Sequence, residues 1–157
     1  MENIVIPPAL AALEFGLEAA RRHRAELRES ISALEQALAA PAPGRDDAWC
    51  ERVHVALVEL SADLRAHVEI TGGAEGMYSA ALAAAPRLSH AVAQLSVEQQ
   101  MAIRSLDDLL RYACVPGVSV DRVRQLGTVL LGRLIRLRQR GADLVYEAYH
   151  TDIGGED

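Results

Sequence analysis

The chain has 157 residues, a net charge of −6 and no lysine, all 16 basic residues being arginine. Half of it is hydrophobic, which excludes a disordered chain, and only six residues are aromatic (one Phe, one Trp and four Tyr). The acidic balance argues against a nucleic-acid partner, and charge interrupts every apolar stretch before it could span a bilayer.

Ala and Leu carry the apolar content, and both favour helix over strand. Residues 1–157 therefore read as one all-α domain. The start, MENIVIPPAL, lacks the basic flank and cleavage site of a secretion signal, so the expected location is the cytoplasm. Cys50 and Cys114 stand far apart and form no CxxC pair. They read as reduced, buried small residues.

The first helix follows Pro7-Pro8 and runs to about Ala40. Leu13, Leu17, Ala20, Leu27, Ile31, Leu34 and Leu38 recur at spacings of three and four, with Arg24 in the one gap. The run PAPG from Pro41 ends it. The second starts after Asp46 or Asp47, either of which can cap it, and presents Val53, Leu57, Leu60, Leu64, His67 and Thr71 before Gly72-Gly73. A short helical piece from Glu75 to Ala84 stops at Pro86, and another short turn spans Arg87 to Leu95.

The third helix is expected to begin at Ser96, with Gln99 three residues on completing a capping box. Its seam is Gln99, Ile103, Leu106, Leu110 and Ala113, and Val115-Pro116-Gly117 ends it. The fourth runs from near Ser119 to about Tyr149. It carries Val123, Gly127, Leu130, Leu134, Leu137, Gly141, Leu144 and Ala148, and Ile153-Gly154-Gly155 closes the chain. Four amphipathic helices with short connections imply an up-down-up-down four-helix bundle.

Function has to come from polar residues in the seams, because burying them is costly without partners. His67 sits between Leu64 and Thr71 and is either a ligand or a core histidine bonded to a carbonyl. His23 borders the first seam, with Glu26 one turn on, inside the arginine-rich stretch Arg21, Arg22, Arg24. His54 lies on a flank, His90 in the broken segment, and His150 at the end of the last helix, where a positive charge suits the dipole. Tyr78, Tyr112, Tyr146 and Tyr149 read as packing residues near helix ends. Arg133, Arg136, Arg138 and Arg140 read as a solvated face flanked by Asp143 and Glu147. No GxxxxGK[ST], HExxH or GxSxG motif is present, so nucleotide, zincin and α/β-hydrolase chemistry have no support.

Three stretches carry a resemblance: HVEITGG from His67, followed by Gly76-Met77-Tyr78; PRLSHAV from Pro86; and RQRGADLVYEAY from Arg138, followed by DIGG from Asp152. Together with His23 they resemble the actinobacterial hemerythrin-like (HHE cation-binding) family over about residues 10 to 155. The resemblance implies a four-helix bundle with a non-heme di-iron centre that takes dioxygen, peroxide or nitric oxide. His23 and His67 match ligand positions of that family. Three other positions depart from it, having Gly72 in place of Glu, Gln99 in place of His, and Leu137 in place of His.

A di-iron centre needs about five or more protein donors with bridging carboxylates. The expectation is therefore an altered centre holding a metal, a heme or a small ligand on His23 and His67. Two alternatives stay open. One is a non-catalytic scaffold or interaction bundle with a lost site. The other is a regular non-heme di-iron protein, completed by His90, His54, Glu26 or Glu69. Whether the protein is an enzyme stays open. A monomer or homodimer is expected.

Overall fold

The computed structural model describes residues 5–73, 76–113 and 115–153, with side chains at all of these except 13 and 151–153. Among the described residues the secondary structure is entirely helical: α1 (Pro8–Ala39), α2 (Asp46–Gly72), α3 (Met77–Ala84), a 3-10 turn at Pro86–Leu88, α4 (Ser89–Ala113) and α5 (Val120–Ile153). Four long helices form an up-down bundle, and short α3 packs mainly on α1 and also touches α5 and α2.

The helix starts follow local chemistry. Pro8 opens α1, where a missing N–H costs nothing and a fixed φ helps. Asp46 and Asp47 do not cap α2. Arg45 holds the cap position without a side-chain bond, and both carboxylates lie in the first turn, facing the positive end of the dipole. Ser119 does cap α5, its hydroxyl accepting from the Arg122 N–H at 3.3 Å. Gly44 and Gly117 adopt φ of 71° and 74° in the turns after α1 and α4, a region that favours glycine.

The expected start of the third long helix at Ser96 is corrected. α4 begins seven residues earlier and runs unbroken from Ser89. Only Pro86 interrupts this part of the chain, and it is accommodated in the first turn of the 3-10 segment. The buried stripe is Val92, Leu95, Gln99, Ala102, Leu106, Leu109 and Ala113, while Ile103 and Leu110 are half-buried. Ser96 lies inside the helix, so Ser96 and Gln99 form no capping box. Glu75, Cys114 and the closing Gly154-Gly155 lie outside the described residues, as does the Leu13 side chain. Cys50 is half-buried rather than buried.

Polar side-chain ties join each pair of neighbouring long helices. Ser30 of α1 donates to Asp63 of α2. Arg65 of α2 holds both oxygens of Asp107 of α4 at 2.7 Å. Glu98 of α4 pairs with Arg140 of α5. Arg124 of α5 donates to the Leu38 and Ala40 carbonyls at the end of α1, at 2.9 and 2.8 Å. Those carbonyls have no partner within the helix, so Arg124 satisfies acceptors that would otherwise need water. The Arg124 guanidinium also lies 5.3 Å from the Trp49 ring.

The core falls into two clusters. One is built on Leu27, Ile31, Leu34, Val53, Leu57, Leu60, Leu64, Leu106, Leu109, Leu130 and Leu134. The other gathers Ala20, Met77, Tyr78, Ala80, Ala81, Leu88, Leu95, Leu144 and Ala148 around α3. At Gly16 the α1 backbone comes so close to α3 that a Cβ would lie 3.1 Å from the Met77 backbone. None of the described helices is long and apolar enough to cross a membrane.

Candidate functional site

The two clusters meet around His67. The seam of α2 aims its side chain inward. Thr71, one turn later and fully buried, donates to the His67 carbonyl at 2.9 Å. Gln99, only 4 % exposed on α4, donates through Nε2 to the Thr71 hydroxyl at 3.0 Å and to the Tyr78 hydroxyl of α3 at 2.8 Å. These bonds form one buried polar chain linking α2, α3 and α4. A network of this kind is tolerated in a core when its members are satisfied.

Beside the network lies a cavity of about 30 Å³. Leu27, Leu64, Met77, Leu134, Leu137 and Gly141 supply much of its wall. Its polar lining comes from His67, Gln99, Tyr78, Arg24 and Arg138. The Nδ1 atom of His67 is buried and has no hydrogen-bond partner. Burial, reinforced by the nearby charges of Arg24 and His23, lowers its pKa from 6.5 to about 4. His67 is thus a neutral imidazole at ordinary pH. Burial raises the Tyr78 phenol, against the opposing effect of its bonds with Thr71 and Gln99.

His23 comes close enough to His67 to act on its titration, but it does not line the cavity. Its side chain is 28 % exposed, its Nδ1 is buried without a hydrogen bond, and Glu26 lies 3.7 Å away. The other candidates are not brought in. His90 and His150 are exposed, His54 is half-buried, and Glu26 and Glu69 are exposed. Gly72 is also exposed and does not line the cavity.

The metal, iron and heme reading is therefore corrected. Among the described residues no three His, Cys, Asp or Glu side chains form a group that could hold a metal ion. Among the described residues no third His, Cys, Asp or Glu joins His67 and His23 in a ligand group, and Gln99 is committed to Thr71 and Tyr78. The donor set does not fit two irons. A cavity of about 30 Å³ accommodates roughly two waters and is far too small for a porphyrin. His90, His54, Glu26 and Glu69 do not assemble a replacement set.

Two cavity residues carried a different reading in the sequence. Arg138 belongs to a stretch that reads as a solvated face, and it is indeed exposed, yet it also lines the cavity. Tyr78 reads as a packing residue but is buried in the network. Arg24 left a legible signal, a charge in the gap of an otherwise apolar seam. Comparison of the chain with known protein families, with curated proteins and with solved structures finds no match.

Proposed function

We propose that this chain is a non-catalytic helical-bundle scaffold of hemerythrin-like type, whose former centre is reduced to a small cavity beside the Gln99 network. One observation carries the reading. Three positions singled out by the family resemblance, His67 on α2, Gln99 on α4 and Leu137 on α5, converge on a single cavity. In that cavity the ligand-type residues are an unpartnered imidazole, an amide already bonded to Thr71 and Tyr78, and a leucine. The convergence supports the hemerythrin-like layout, and the chemistry of the residues supports loss of the centre.

Under this reading residues 1–157 form one domain that acts in the cytoplasm as a monomer or homodimer. Its role is to present its helical surface to other molecules. Metal analysis of the purified protein tests the reading, together with its thermal midpoint after chelation and after anaerobic addition of ferrous iron. No stoichiometric metal and an unchanged midpoint are expected. Two irons per chain with near-ultraviolet charge-transfer bands, or a Soret band, would overturn it.

A further inference from the structure

The cavity beside His67 has an unusual charge balance. Arg24 of α1 and Arg138 of α5 both line it. Among the described residues neither guanidinium makes an ion pair or hydrogen bond, although Arg65, Arg111, Arg124 and Arg140 all do. Arg24 is half-buried in a seam position, where an apolar side chain would cost less to bury. The charges that act on it, those of Arg21, Arg138 and Arg28, all have its own sign. A protein of net charge −6 thus concentrates cations at one small opening into its core.

We propose that this cavity binds a small oxoanion, held by Arg24 and Arg138 and hydrogen-bonded by His67. This goes beyond the scaffold reading and does not depend on it. Three features select the ligand class. The volume of about 30 Å³ admits an ion of a few heavy atoms and excludes nucleotides and most organic acids. The planar guanidinium fork matches the paired oxygens of an oxoanion and bonds them with charge assistance. His67 lines the same cavity, and a neutral imidazole donates one N–H. The apolar wall of Leu27, Leu64, Leu134 and Leu137 keeps the dielectric low, which strengthens these bonds once the anion has shed water.

The test is isothermal titration of the purified full chain with sodium nitrate and with sodium phosphate. Both are run at pH 7 and at constant ionic strength held by sodium chloride. Saturable binding at one site is expected, and preference for one salt reports whether a planar or a tetrahedral anion fits. Arg24→Gln and Arg138→Gln should each weaken binding by about tenfold or more, while Arg104→Gln, exposed on α4, should leave it unchanged. Leu137→Phe, which fills the cavity without removing a charge, should abolish binding with the helical circular dichroism signal retained. Absence of saturable binding for both salts would overturn the proposal, as would equal weakening by Arg104→Gln. Neither result bears on the scaffold reading, which fails only if the protein carries its metal.

Discussion

The two ends of the bundle solve the same packing problem with different residues. Where α1 ends and α2 begins, branched aliphatic side chains from four helices interlock, and Leu34, Leu57, Leu60 and Val53 are fully buried. At the other end α3 is inserted against α1, small residues such as Ala20, Ala80, Ala81 and Ala148 fill the interface, and the apolar fill gives way to Gln99, Thr71, Tyr78 and His67. Close-packed aliphatic side chains stabilise by burial and contact, with no alternative protonation state. A buried polar chain adds specificity of register but exposes stability to pH and to the loss of any one partner.

The largest separation between the two ends should come from leucine truncation. Leu57→Ala, at the fully buried end, is expected to cost about 2–5 kcal/mol in urea unfolding. Leu137→Ala should cost only about 1 kcal/mol, because that side chain is half-buried and already borders empty space. Equal costs would erase the distinction between a filled and an unfilled core.

The pH dependence should come next in size. His67 stays neutral in the fold down to about pH 4, whereas in the unfolded chain it takes up a proton near pH 6.5. The unfolded state therefore binds more protons in that window. Stability is complete above about pH 6.5 and falls as the pH drops toward 4, by about 3 kcal/mol for this group. His67→Phe should flatten that part of the curve, and Leu57→Ala should shift the curve without changing its shape. Urea titrations at a series of pH values read both.

A smaller effect is expected within the polar chain. Gln99→Leu removes the donor shared by Thr71 and Tyr78 and should cost about 1–3 kcal/mol, since a buried hydroxyl then loses its partner. In Gln99→Leu/Tyr78→Phe the two losses should be less than additive, because the second change removes an acceptor already orphaned by the first. Full additivity would mean that the two side chains do not interact.

The smallest change should be stabilising and alike at both ends. Gly132 and Gly141 stand in the interior of α5, and a Cβ at either meets nothing within 4 Å. Each Gly→Ala substitution should add about 0.5–1 kcal/mol through helix propensity and reduced unfolded-state entropy. A loss at Gly141 alone would show that the cavity needs its backbone bare.

Periodicity and punctuation alone made the bundle legible. Prolines and glycines mark helix ends because of their own backbone chemistry, so the limits of α1, α2 and α5 follow within a few residues. The buried positions of α5 (Val123, Gly127, Leu130, Leu134, Leu144 and Ala148) also follow, since an apolar stripe has one way to face a core. Ser96 and Gln99 show the limit of such reasoning. A serine followed by a glutamine three residues later is the same local pattern in a cap and in a helix interior, and only the packing of Val92 and Leu95 decides which.

The site was legible only as positions. His67 stood out as an imidazole in an apolar seam, and Arg24 as a charge in a gap, since a polar residue at a core spacing is visible in one dimension. Whether such a residue meets donors, acceptors or charges depends on what three other helices bring to the same level, and no local pattern encodes that. The tertiary structure gave Gln99 to Thr71 and Tyr78, left His67 Nδ1 without a partner, and set Arg138 beside Arg24 at the cavity. Helix spacing is a property of the neighbouring chain, whereas the contents of a cavity are a property of side chains that are distant in sequence and held together by packing.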